Sequence, residues 1–329
     1  MARLLTHARR AQHRRRRFRQ PTIAAIAIVL IGAVTGISMS AHSSNRASTQ
    51  AATPSAAPAT STIPPASTPP PTTTPTSSTT NPSTAPPNLL EATVSNYVAS
   101  RTGTISLAVY DLNSNHLWQL GPSTPQDEAS VVKVDILEGL LAQSQGQGLT
   151  TANQSVAQNM IENSDNDAAT TLWNSAGAAS GIAAFNSSAG LMDTTPSPCV
   201  VCAGFPWPGW GLTTTTPADQ VALLKLLATP NAVLTDAERS YALGLMENVT
   251  PSERWGVSSG VPAQATVALK NGWLPLNSSD TNWQINSIGW ISGVNRNYVI
   301  AVLTTGNPSE QYGIDTIDAI SAIVYGDLA

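Results

Sequence analysis

The sequence predicts an α+β fold: an antiparallel sheet built from both ends of residues 88–329, flanked by helices, with an all-helical lobe inserted between those ends. Three observations predict it. An alternating segment, a turn and a returning segment stand near the start, at residues 104–120. Three further alternating segments stand near the end, and the stretch between carries helical spacing and a helix-start signal.

In order along the chain, Leu89, Leu90, Val94 and Val98 fall at helical spacing and predict a helix over 89–101, ended before Gly103. Ile105, Leu107 and Val109 alternate, giving a strand over 104–112. Asn113-Ser114-Asn115 is turn chemistry, and 116–120 makes the returning strand. An apolar helix is expected over 129–143, marked by Val132, Ile136 and Leu140. Helical stretches follow at 154–176 and 217–227, the second opened by Thr216 as N-cap and Pro217 at the first helical position. A helix over 236–248 completes the middle. Strands at 266–272, 284–291 and 298–305 and a helix over 315–325 end the chain.

Charge divides the chain. Residues 1–42 hold eight arginines and no acid, whereas residues 88–329 hold seven lysines and arginines against all twenty acids, a net charge of −13. So acidic a domain excludes nucleic acid as a partner, because phosphate binding needs a basic surface. After Arg14 to Arg17 comes an uncharged apolar run, Ile23 to Met39, which is the pattern of an export signal or a membrane anchor. The basic flank keeps the N-terminus in the cytoplasm and places the remainder outside. Residues 1–42 are therefore assigned as signal or anchor, with membrane as a partner if uncleaved. Residues 43–87, almost entirely Ser, Thr, Pro, Ala and Asn, form a disordered tether. The expected location is extracytoplasmic, in the cell envelope. There Cys199 and Cys202 favour a disulfide, which would stiffen a proline-rich loop; as a zinc site they lack two ligands. No metal or other cofactor is expected.

The chemistry is read from scarcity. The chain has three lysines, Lys133, Lys225 and Lys270, and the only histidine beyond residue 42 is His116. Serine chemistry here would have to run on lysine as base. Ser130 and Lys133 stand at i and i+3 on one helix, so their side chains meet. Ser164-Asp165-Asn166 and Lys270-Asn271-Gly272 follow. Each element alone has a plain structural explanation: a surface pair, a capped turn, a strand end. Together and in this order they correspond to the S-x-x-K, S-D-N and K-T-G set.

On these motifs the domain resembles the class A β-lactamase and penicillin-binding-protein family of serine hydrolases, across nearly all of residues 88–329. The resemblance extends to the early hairpin, the Gly211 to Pro217 stretch that opens a helix, and the late strand ending Leu303-Thr304-Thr305-Gly306. It implies Ser130 as the acylated nucleophile, Lys133 as the base, Ser164 as proton relay to the leaving group and Lys270 as the charge holding that hydroxyl. It further implies Asn166, Asn271, Gly272 and Trp273 on the substrate side. The backbone N–H groups of Ser130 and Trp273 would form the oxyanion hole.

Three departures bear on activity. The loop from Thr194 to Gly211 contains no glutamate or aspartate, where class A enzymes place the carboxylate that activates the deacylating water; Asp193 is the nearest. Asn271 replaces the hydroxyl residue of the third motif, and the next strand offers Gln284, Asn286 and Ser287 where an arginine is expected, unless Arg296 folds in. Ser130 and Ser164 are only 34 residues apart, so the helical lobe is trimmed. Trp207 and Trp210 either line the cleft or pack the loop. The expected function is an exported Ser–Lys hydrolase or acyltransferase. It would act through an acyl-enzyme on cell-wall peptide or a small amide or ester, and could bind penicillins. The alternatives are a β-lactamase with a non-standard deacylation route and a non-catalytic wall-binding domain.

Overall fold

A computed structural model describes Leu90, residues 92–277 and residues 279–328. The signal or anchor at 1–42 and the tether at 43–87 lie outside the described residues. Among the described residues no helix is long and apolar enough to cross a membrane.

Five antiparallel strands form the sheet, in the order β2-β1-β7-β6-β5: β1 (Thr104–Asp111), β2 (His116–Leu120), β5 (Thr266–Pro275), β6 (Trp283–Gly293) and β7 (Arg296–Asn307). The early β1 lies against the late β7, with Leu107 opposite Val302, so both chain ends build one sheet. Helices cover both of its faces. Leu107, Val109, Ile300 and Val302 pack with Val94 of α1 (Thr93–Ala99) and with Ile317, Ile320 and Val324 of α8 (Glu310–Asp327). The alternate residues Ala108, Ile288, Val299 and Ala301 face the helical lobe. The lobe comprises α2 (Val132–Gln143), α3 (Thr151–Glu162), α4 (Asn166–Ser175), α5 (Ala178–Ala189), α6 (Pro217–Ala228) and α7 (Asp236–Glu247). Burial on both faces explains why the strand residues are apolar at nearly every position rather than strictly alternating.

The local signals act as read. Thr216 caps α6 by accepting from the Asp219 N–H, with Pro217 at the first position. Thr235 and Glu238 form a reciprocal capping box on α7. Three corrections concern the middle of the chain. The single helix expected over 154–176 is two, α3 and α4, because Ser164 takes a left-handed φ of 54° and Asp165 caps a new start through the Ala168 N–H. α5 went unread, since its Ala- and Ser-rich sequence has little apolar periodicity. A two-strand pairing of β3 (Gln126–Asp127) with β4 (Thr214–Thr215) ties the residues before Ser130 to the far end of the proline-rich loop.

α2 runs through the centre of the molecule, with every residue from Val132 to Leu141 buried. The 3-10 turn that holds Ser130 leads directly into this helix.

Candidate active site

Ser130 sits in a 3-10 turn, Ala129–Val131, immediately before α2. Ala129 is held at φ 53°, the left-handed region that a side chain rarely adopts. Two neighbours hold the turn. Asn286 of β6 donates from Nδ2 to the carbonyls of Asp127 (2.8 Å) and Glu128 (2.9 Å). Gly272 of the edge strand β5 lies so close that a Cβ there would stand 2.6 Å from the Ser130 nitrogen. Any larger residue at 272 would push the strand off the turn.

Lys133, the second residue of α2 and one turn beyond Ser130, is completely buried. Its Nζ lies 2.9 Å from Ser130 Oγ, 3.1 Å from Ser164 Oγ, 2.6 Å from the Ser164 carbonyl and 2.9 Å from Asn166 Oδ1. The left-handed turn at Ser164 makes this possible by aiming both its carbonyl and its hydroxyl at the lysine. Asp165 is absorbed in capping α4, so within the Ser-Asp-Asn element the outer two residues face the site and the middle one builds the turn. The carbonyl and the amide oxygen can only accept, whereas the two hydroxyls can also donate. A neutral amine fits this set: two N–H bonds to the pure acceptors and a lone pair for a serine proton. Burial lowers the Lys133 pKa well below the usual lysine value, and the Lys270 charge lowers it further.

Lys270, at the same depth on β5, donates to Ser164 Oγ (2.9 Å) and to the Asn271 carbonyl (3.0 Å). Burial brings its pKa down to about 8, opposed by Glu253. Ser130, Lys133, Ser164, Asn166 and Lys270, read separately from the sequence, therefore form one cluster. The substrate-side residues divide. Trp273 and Asn166 line a cavity of about 500 Å³ together with Ser130 and Ser164. Asn271 does not: its side chain is buried and donates to the carbonyls of Glu253 (2.7 Å) and Trp255 (3.1 Å), which makes it a structural brace rather than a substrate contact.

The missing arginine stays missing from the cavity. Gln284 and Asn286 are engaged with one another and with Gln126 and the turn carbonyls, and Ser287 Oγ accepts from the Val257 N–H. Arg296 stands opposite Gly293 at the far end of the hairpin, seven residues from Asn286 and so roughly 20 Å away. Its Nε donates to the Tyr325 carbonyl and its guanidinium lies over the Tyr325 ring.

In the proline-rich loop Cys199 and Cys202 are disulfide-bonded. The two tryptophans have different fates. Trp210 is 2% exposed, donates from Nε1 to Thr170 Oγ1 and lies 5.1 Å from Lys133 Nζ, so it excludes water from the base. Trp207 is 46% exposed and lines the mouth of the cavity. Asp193 is exposed and does not reach the cavity, its N–H held by Asp219.

Several cavity residues escaped the sequence reading, Asp280 and Trp283 among them, and the one beside the lysines is an acid. Glu253, in a 3-10 turn (Pro251–Glu253) between α7 and β5, lines the cavity beside the lysines. Burial raises its pKa, and the charges of Lys270 and Lys133 oppose that rise. No spacing marks it: it is a lone acid in a loop, brought in by the brace that Asn271 makes to its carbonyl.

Two buried lysines and the converging hydroxyls of Ser130 and Ser164 on this α+β frame are those of a serine hydrolase of the β-lactamase and transpeptidase superfamily. The model of the β-lactamase enzyme family matches residues 138–328, and the chain belongs to that family. The match begins just beyond Ser130 and Lys133, so the geometry above is an independent view of those two residues. The fold is similar to a class A β-lactamase from Bacteroides cellulosilyticus (TM-score 0.62, 16% identity, 73% of this chain and 97% of that one). It is also similar to a class A β-lactamase from Mycobacterium abscessus (TM-score 0.58, 22% identity, 71% and 96%) and to the TLA-1 extended-spectrum β-lactamase (TM-score 0.62, 18% identity, 73% and 98%). No curated protein sequence matches this chain.

Proposed function

We propose that this protein is an exported Ser–Lys hydrolase or acyltransferase that forms an acyl-enzyme at Ser130 from a cell-wall peptide or a related amide or ester. The observation that carries the reading is the contact set of Lys133, whose Nζ reaches the hydroxyls of both Ser130 and Ser164 within 3.1 Å while wholly buried. Neutral Lys133 takes the Ser130 proton as Oγ attacks the scissile carbonyl, and the oxyanion develops against the backbone N–H groups of Ser130 and Trp273. Ser164 gives its proton to the leaving atom as the carbonyl–leaving-group bond breaks and recovers one from Lys133, with Lys270 stabilising the relay. Asn166 binds an amide of the substrate. The acyl group then passes to water or to an acceptor nucleophile.

The acyl-enzyme formed from a β-lactam is expected to persist, because the Thr194 to Gly211 loop supplies no carboxylate to activate water. Export rests on the arginine-flanked apolar run and the Pro/Ser/Thr tether that follows it. Such a tether suits an enzyme that works on the envelope around it.

The test is intact-mass analysis of the purified protein over time with an activated ester and with a penicillin, for wild type and Ser130→Ala. An adduct or ester cleavage by wild type alone is the expected result. No adduct and no cleavage by wild type would overturn the catalytic reading in favour of a binding domain, and rapid penicillin turnover would make the protein a β-lactamase.

A further inference from the structure

The walls of the cavity are acidic and aromatic. Its two charged lining residues are both carboxylates, Glu253 and Asp280, and no arginine or lysine head group lines it. Trp207, Trp273 and Trp283 stand around the same space. The two lysines lie below the floor with their protons engaged: Lys133 among four oxygen atoms, Lys270 on Ser164 Oγ and the Asn271 carbonyl. Arg254, adjacent in sequence, turns away and donates to the Glu247 carbonyl. Glu253 Oε2 is buried in the cavity wall with no hydrogen-bond partner among the described residues, so its charge is not offset by a direct donor.

Asn271 ties the Glu253 carbonyl (2.7 Å) to Lys270, which donates to the Asn271 carbonyl and to the proton-relay hydroxyl of Ser164, so Glu253 stands on the leaving-group side of the scissile bond. A carboxylate beside that position repels an anionic substrate group and attracts a cationic one, and indole faces favour a cation further. We infer that the leaving-group subsite of this enzyme takes an ammonium-bearing substrate and discriminates against a carboxylate, with Glu253 as the specificity-determining residue and Asp280 as a second charge at the mouth.

This inference rests on Ser130 being the acylated residue, and its test separates the two claims. Three thioesters of one acyl group are compared, with an ammonium, a carboxamide or a carboxylate on the thiol leaving group. Each Ser130 acylation rate constant is divided by that for hydroxide, to remove intrinsic reactivity. Wild type is expected to favour the ammonium over the carboxylate compound by about 20-fold, the carboxamide falling between, as expected for one charge pair at close range in a half-buried site. Glu253→Gln should bring that ratio within about 3-fold, and Asp280→Asn, at the cavity mouth, should lower it by a smaller factor. A wild-type ratio near one or favouring the carboxylate overturns the inference with no variant needed, as does an unchanged ratio in a folded Glu253→Gln protein. Failure of all three thioesters to acylate Ser130 overturns the hydrolase reading itself, and this inference with it.

Discussion

The two sides of α2 treat their charges in opposite ways. Toward the cavity, Lys133 is buried but surrounded by four hydrogen-bonding oxygens. On the opposite side, Asp135 and Glu138 are equally buried, joined by Glu128 just before the helix; among the described residues the Glu128 and Glu138 carboxylates have no hydrogen-bond partner, and Asp135 has only the Asn186 side chain beside it. Buried charge is tolerated only when paired or neutralised. Burial favours the neutral form of the lysine, which is the form the proposed base needs. Burial favours the protonated form of the acids: it pushes the Asp135 carboxyl up to about 7 and raises Glu128 and Glu138 well above the usual carboxylate value. One helix thus carries the group proposed to transfer the proton and a set of groups that burden stability at neutral pH.

Substitutions on the two sides should therefore separate activity from stability. The largest effect is expected from Lys133→Ala, which removes the proposed base: Ser130 acylation measured by stopped-flow or mass spectrometry should fall by about 10³-fold, in the middle of the range for a positioned acid–base group. Near-normal acylation in that variant would transfer the role to another group. Lys270→Ala should cost about 10²-fold, since Ser164 keeps its hydroxyl but loses the charge that orients it. In wild type the same residue sets an alkaline limb: with its pKa near 8, Lys270 loses its proton as pH rises past that value, and acylation should decline there.

The acidic side predicts the reverse profile. Asp135 has a folded pKa above its unfolded one, so the native state holds more protons between about pH 4 and pH 7 and stability falls as pH rises through that window. Asp135→Asn should raise denaturant-measured stability at pH 8 by on the order of 2 kcal/mol and change little at pH 4, with acylation unaltered. Equal effects at both pH values would show that the carboxyl is not neutral in the native protein. The smallest effect is expected from the double Cys199→Ala, Cys202→Ala replacement. Because that disulfide closes so short a loop, its loss should lower stability by about 1–2 kcal/mol.

This contrast also marks what the sequence could convey. The sheet from both chain ends, the hairpin and the capped helices were legible because alternation and cap residues are local properties. Ser130, Lys133, Ser164, Asn166 and Lys270 were legible because their spacing and order encode one cluster. Asn271 was misplaced: its motif position implies a substrate contact, but an amide there reaches the Glu253 and Trp255 carbonyls instead. Glu253 was invisible, since nothing local distinguishes a loop acid that points into a cavity from one in water. The buried acids were invisible for a related reason. α2 is buried on all sides from Val132 to Leu141, so the usual inference that charged residues mark a solvated face fails over that stretch.

The central claim, that α2 presents a neutral lysine to Ser130, has a direct measurement. With three lysines in the chain, lysine labelled at its side-chain carbon or nitrogen gives three NMR signals, and Lys133 is identified by its loss in Lys133→Ala. The account predicts that the Lys133 signal titrates well below 10.5 and reports an uncharged amine at mildly alkaline pH. A Lys133 signal that stays that of an ammonium through pH 10 would contradict it.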